Sequence, residues 1–273
     1  PNNMALIIVG DFDAEATKPL IAETFSRLQP KALPERAQYA SADYSGNPKK
    51  SYKMGYTPTI FWVYKGVKAD AEDALALEFV TSLLNNGLNT GMFDKLMLDG
   101  KISSVYAFSD TRRDEGRIMI QATPYYDINL RQYESDKATE NIVMAEIDKL
   151  KKGQIEDWQM AAVKKEFEMK YKLYKEYDGY KMQQLVNCFT YNLPLTDIFE
   201  EEAKVQAFTK EQISAVAKKY FDSNFLSITF DEDFSTNKPV TMDKPDIQPL
   251  QFAEQESEYA KTFWNIPAGT PKY

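Results

Sequence analysis

Apolar residues follow two rhythms along this chain, and the rhythm changes mark the elements. Residues 4–9 (MALIIV) are an unbroken apolar run, the pattern of a strand covered on both faces. Gly10, Asp11, Phe12 and Asp13 turn the chain, with Asp13 placed to cap a helix over 14–28 that carries Ile21, Phe25 and Leu28 at helical spacing. Residues 29–50 shift to Pro, Ala, Ser, Asn and Gly, a linker composition. A strand pair or hairpin is predicted over 51–67, centred on 60–64 (IFWVY). A helix follows over 70–84 with Ala74, Leu77, Val80 and Leu84 on one face, broken by Asn85, Asn86 and Gly87. The pattern then predicts a short helix over 92–98, a strand over 102–109, a turn at 112–115 and a return strand over 116–122.

Helical spacing dominates the next stretch, with helices predicted over 130–152, 155–177 and 179–191, and a short one over 199–205 after Pro194. Thr209 and Gln212 form a capping box that opens a helix reaching Phe221, and residues 225–230 (FLSITF) make a last strand. Beyond Asp231 the composition is again that of a linker. The fold class expected is α+β: a mixed, largely antiparallel sheet flanked by helices. The segment Asn224 to Phe230 echoes Asn3 to Val9, each an asparagine leading an apolar strand into an acidic turn. A two-copy architecture with the first copy truncated would account for the echo, and so would chance similarity of two short strands.

Composition limits the chemistry. The 273 residues contain no histidine and one cysteine, Cys188, so the usual general base, the commonest zinc ligand and any Cys–His pair are all absent from the chain. Net charge is −8, which argues against a nucleic-acid footprint. The apolar runs are too short to span a bilayer. A single cysteine rules out an internal disulfide and leaves the redox compartment open.

The opening P-N-N-M-A-L-I-I-V-G-D (Pro1 to Asp11) resembles a segment of the pitrilysin/insulinase-type zinc metallopeptidases, the inverted zincins, in which P-x-N-M-x-L-x-x-x-G-D and a helix ending F-x-x-L complete the zinc-binding domain. Phe25, Ser26, Arg27 and Leu28 fit that helix end. The resemblance implies four parts: residues 1–30 closing a preceding zinc-binding domain, a linker at 31–50, a non-catalytic family domain at 51–235, and a linker at 236–273 towards a second half. It further implies that this chain is part of a longer polypeptide. Zinc would be held by the family's H-x-x-E-H motif in the preceding domain, with no metal or catalytic residue in this chain.

In related domains that touch substrate, an arginine and a tyrosine reach the bound peptide. Aligning Phe93 and Leu96 with that pattern sets Gly91 at the arginine and Ser104 at the tyrosine, so both groups are missing. The resemblance therefore implies a chamber-forming rather than catalytic domain of a zinc metalloendopeptidase, with Thr59, Phe61, Val63, Asn89, Thr90, Gly91, Ser104 and Tyr106 as candidates for the inner wall. Its partners would be the remaining domains and a peptide substrate, and relatives suggest a periplasmic address. The alternatives are an inactive scaffold or assembly subunit of the same superfamily and an unrelated peptide-binding module.

Other candidates read as ordinary structure. Glu200, Glu201 and Glu202 suit a solvated helix N-terminus better than a metal site, and Cys188 beside Leu185 and Phe189 suits inert core. Trp62 and Trp158 are expected in the core, and Trp264 against another part of the parent protein.

Overall fold

A computed structural model describes residues 2–37, 39–53, 57–233 and 257–267, the side chains of 197–199 excepted. The chain divides into a unit over 1–234 and a second over 235–273. Within the second unit the described residues form one short helix, Glu258–Trp264, with Ser257 capping it through Ala260 N.

The first unit is built on a five-stranded sheet. Its strands are β1 (Lys49–Lys53), β2 (Thr59–Lys65), β3 (Ser104–Thr111), β4 (Gly116–Thr123) and, after the two-stranded β5 (Tyr126–Asp127) and β6 (Gln132–Tyr133), β7 (Phe225–Asp231). The order is β1-β7-β2-β4-β3; β1 and β7 run parallel and every other neighbour is antiparallel. The expected mixed, largely antiparallel sheet flanked by helices is the fold observed.

Strict alternation decides what the sheet buries. Along β4, Gly116, Ile118, Ile120 and Ala122 are buried while Arg117, Met119, Gln121 and Thr123 are not. Register then carries the face across the sheet, where Ile60, Trp62 and Tyr64 lie beside Ala122, Ile120 and Ile118, and beside Val105 and Ala107 through β4. Helices cover this face: α2 (Ala74–Leu84), α3 (Met92–Leu98), α4 (Asp136–Lys151), α5 (Asp157–Glu176) and α8 (Lys210–Tyr220), preceded by α6 (Asp178–Tyr191) and α7 (Asp197–Ala207). Leu77, Phe79, Val80, Leu84, Phe93, Val143, Val163, Phe167, Ile213 and Phe221 complete one core with the strand residues.

The helix ends follow the sequence. Asp13 accepts from Glu15 N and Ala16 N at the start of α1 (Ala14–Phe25), and Thr209 and Gln212 form the expected capping box of α8. Helix α6 stops at Asn192, whose φ of 59° is left-handed.

Several expectations are corrected. Residues 51–67 are not a hairpin: β1 pairs with β7, some 180 residues on, and β2 takes β4 and β7 as neighbours. β1 already begins at Lys49, inside the segment read as linker. Residues 4–9 pair with no described strand, and Met4, Leu6 and Ile8 are 69%, 55% and 43% exposed. The helix expected from 130 begins only at Asp136, where Ser135 accepts from Ala138 N, because 126–133 form the β5–β6 pair. Trp158 stands on the outer side of α5 and is 56% exposed, whereas Trp62 is buried as expected. Glu201 and Glu202 are not simply solvated: Glu201 accepts from the Tyr171 hydroxyl at 3.1 Å and Glu202 pairs with Lys175, tying α7 to α5.

Helix α2 is anchored to α8 by charge. Asp73 accepts from Lys219 Nζ at 2.6 Å and from the Tyr220 hydroxyl at 2.7 Å. The Lys219 hydrogen bond, opposed by partial burial and aided by Tyr220, holds the Asp73 carboxyl below its ordinary range. The folded state therefore binds this proton less readily than the unfolded state, and the contribution is present at neutral pH and lost as pH falls through the acid range. Asp73→Asn should lower the urea midpoint at pH 7, and the gap from the parent should narrow steadily below about pH 4. A gap independent of pH between 7 and 3 would contradict this pairing.

Candidate functional site

The second face of the sheet has no helix laid across it among the described residues. Thr59, Phe61 and Val63 of β2 register with Phe230, Ile228 and Leu226 of β7 on one side. On the other, Phe61 and Val63 register with Gln121 and Met119 of β4, which pair in turn with Tyr106 and Phe108 of β3. Ser104 pairs with Thr123 on the same face, and Tyr52 of β1 lies beside Phe230. Five of the eight residues read as chamber wall, Thr59, Phe61, Val63, Ser104 and Tyr106, thus stand on one surface.

That surface is graded. At one end Tyr52, Phe230 and Phe61 make an aromatic cluster, with Phe61 edge-on to Phe230 at 5.7 Å and Tyr52 tilted against it at 5.8 Å. Tyr106 and Phe108 are 48% and 41% exposed, so the apolar character reaches the surface. At the other end Lys65, Arg117 and Asp110 share the face, and with Tyr44 and Arg112 they line a cleft of about 410 Å³. Asp110 there receives Arg112 at 2.6 Å and Arg117 at 3.2 Å, and the Asp110 hydrogen bond raises the already basic Arg112 further. A surface of this kind can hold extended chain by apolar and polar contact; it carries no nucleophile–base pair.

Asn89, Thr90 and Gly91 are elsewhere, in the loop between α2 and α3 at the margin of β3. Asn86 organises this loop, its Oδ1 accepting from Leu88 N, Thr90 N and the Thr90 hydroxyl. The buried Asp94 carboxylate accepts from Gly91 N at 2.8 Å and Asn86 N at 3.2 Å, closing the start of α3. Gly87 N donates to Glu166 Oε1 of α5 at 3.0 Å. Thr90 and Gly91 are consequently turned inwards, while Asn89, with φ 54°, is exposed. Asn85 seals the sheet margin by accepting from Ala107 N, and Met97 Sδ takes Val105 N at 3.4 Å. These two amides point away from β4, so an edge that would otherwise attract another strand is partly occupied.

No group of three or more His, Cys, Asp or Glu side chains suited to a metal is present among the described residues. No described helix is long and apolar enough to cross a membrane. Cys188 is 5% exposed on α6.

Residues 1–167 match the model for the peptidase M16 inactive domain, and the chain belongs to that family. In solved structures the fold is similar to a protease from Helicobacter pylori, with TM-score 0.71 and 17% identity over 82% of this chain and 54% of that one. It is also similar to a peptidase M16 inactive domain from Pseudomonas fluorescens, with TM-score 0.66 and 17% identity over 82% of this chain and 52% of the other. The periplasmic protease PqqL from Escherichia coli matches with TM-score 0.62 and 12% identity, over 82% of this chain and 25% of its own. The chain spans about half the length of the first two. No match was found among curated proteins.

Proposed function

We propose that this chain is the chamber-forming, non-catalytic part of a zinc-dependent metalloendopeptidase, and that the open sheet face is its inner wall. The observation that carries the reading is that face: half-buried and apolar at Phe61, Ile228 and Phe230, aromatic at Tyr106, and uncovered by any described helix. An extended peptide offers side chains of both kinds and suits a surface that grades from aromatic to charged. Zinc and its activated water would come from a preceding domain of the parent polypeptide. Residues 1–30 would close that domain, which accounts for the exposed apolar row Met4, Leu6, Ile8, Leu20, Phe25 and Leu28. Residues 31–50 would join it to the family domain at 51–235, and 236–273 would lead to a second half. The resemblance to a periplasmic protease supports an exported location.

Two measurements test the reading. The chain alone should retain no zinc after dialysis and cleave no peptide, while the parent polypeptide cleaves peptides in a chelator-sensitive way. Zinc near one equivalent on the isolated chain would refute it. In the parent, a photo-crosslinking residue at Phe61 or Tyr106 should capture a trapped peptide, and one at Met169 on the helical side should not. Capture at Met169 alone would exclude the sheet face as the wall.

A further inference from the structure

The two edges of the sheet differ. At β3 the outward amides of Val105 and Ala107 are taken by Met97 and Asn85. At β1 no described strand lies outside, and Lys49 to Lys53 are all exposed. Pro48 O accepts from Ser227 N at 3.0 Å, which sets the alternation of the β1–β7 ladder. Lys50 and Tyr52 then turn their main-chain groups towards β7, while Lys49, Ser51 and Lys53 turn theirs outwards. Among the described residues nothing pairs with these outward groups, so the edge offers donors and acceptors at strand spacing. The edge is also held in place. Phe225 N donates to Asn47 Oδ1 at 3.1 Å just before β1, and Ser51 Oγ donates to Asp231 Oδ2 at 2.6 Å.

Side chains decide which strand fits. On the open face the edge presents Lys50 beside Ile228 and Tyr52 beside Phe230. The Lys50 ammonium makes no ion pair or hydrogen bond with a described residue. Acidic groups lie elsewhere. Asp231 registers with Lys53 on the helical face, which it shares with Lys49, Ser51 and Asp136, the last bonded to Thr229. Asp110 and Asp43 gather by Lys65 at the other end of the sheet. Glu232 follows the end of β7, about 13 Å along the strand direction from Ile228. A second copy of this edge does not fit, because antiparallel pairing about Ser51 would set Lys49 directly opposite Lys53 twice over.

We propose that β1 takes an extended segment of a partner protein as a sixth, antiparallel strand. The segment carries a large apolar or aromatic residue opposite Tyr52 and, two positions later, an acidic residue opposite Lys50. Antiparallel addition makes both of these non-hydrogen-bonded pairs, in which facing side chains lie closest. An edge lysine ordinarily discourages strand addition; this one turns away neutral and basic strands and admits an acidic one. The edge adjoins the open face but binds through main-chain groups, so this proposal and the chamber-wall reading stand or fall separately.

The probe is the capped peptide Thr-Thr-Tyr-Thr-Glu-Thr-Thr, titrated against the full chain by NMR or calorimetry. It should bind with shifts centred on the amides of Lys49, Ser51 and Lys53. Replacing its Glu by Lys should weaken binding by at least about threefold, the difference between an attractive and a repulsive cross-strand pair. N-methylation of the central Thr, whose amide would meet Ser51 O, should weaken it by at least about tenfold, whereas N-methylation of the Glu, whose amide faces away, should cost less. Lys50→Glu should reverse the preference between the Glu and Lys peptides. Ser51→Pro removes an outward N–H, a change an edge strand tolerates, and should abolish binding with a cooperative thermal transition retained. Equal binding of the Glu and Lys peptides, equal binding of a Glu-Thr-Tyr peptide of reversed order, indifference to the central N-methyl group, an unreversed preference in folded Lys50→Glu, or no binding below about 1 mM would each overturn the proposal.

Discussion

Trp62→Ala should lower the unfolding free energy by roughly 3–5 kcal/mol, the range for truncating a fully buried aromatic side chain. Trp62 is 1% exposed at the centre of β2, with Ser227 of β7 and Ile120 of β4 on either side and the helices above. Neither neighbouring strand can move inwards without breaking its ladder, so the cavity stays largely open and the cost falls towards the upper end. The adjacent Phe61 is the internal control. It lies on the opposite face, only partly buried, and its ring contacts Phe230. Phe61→Ala should therefore cost about 1 kcal/mol or less beyond its lost area, a small shift in urea midpoint beside that of Trp62→Ala. Comparable losses at both positions would mean that the face assigned as open is covered in solution.

The second large effect belongs to Gly91. A Cβ built there would lie 2.3 Å from Leu84 O and 2.6 Å from the Cα of Asn85, both backbone atoms. The φ of −76° is ordinary, so the constraint is space rather than conformation. Gly91→Ala must push the start of α3 away from the end of α2, straining the bonds from Gly91 N and Asn86 N to the buried Asp94. A loss of about 3 kcal/mol or more in urea unfolding is expected, at or beyond the upper end for overpacking. Gly100→Ala provides the contrast: φ is 66° but its Cβ meets nothing within 4 Å, so the cost is confined to the left-handed backbone, about 1 kcal/mol. A neutral Gly91→Ala would contradict the close approach of α2 and α3. The same geometry bears on the family pattern, whose substrate-facing arginine aligns with Gly91. No side chain fits there, so an arginine placed at 91 cannot recreate that contact without reshaping the loop.

The caps at Asp13 and Thr209 were legible because capping is local: each satisfies amides two or three residues away. The alternation in 116–122 was legible for the same reason, since a strand's two faces differ in every second residue. The β1–β7 ladder was not, because Lys49 and Ser227 are joined only after the intervening chain has folded. Trp158 was misplaced for a related reason. An indole at helical spacing suits a core, and only the packing of α5 shows which side of that helix faces outwards.

The candidate site divides along the same line. Thr59, Phe61 and Val63 were grouped by the family resemblance, which could not say whether their face or that of Ile60 and Trp62 would be covered. Glu201 was seen only as one of three adjacent glutamates. Its bond to the Tyr171 hydroxyl depends on α5 and α7 meeting, and no local signal marks residues 30 positions apart as neighbours.

The sequence alone determined the types and limits of most elements, the absence of a histidine-based metal site in these residues, and, through its opening motif, the family. Tertiary structure alone decided which sheet face is covered, that β1 joins through β7, and that Lys170 meets the distant Glu78. The physical reason is range. Backbone capping and side-chain periodicity act within a turn or a strand and are written in neighbouring residues, whereas burial and charge pairing are properties of surfaces that exist only once distant segments pack.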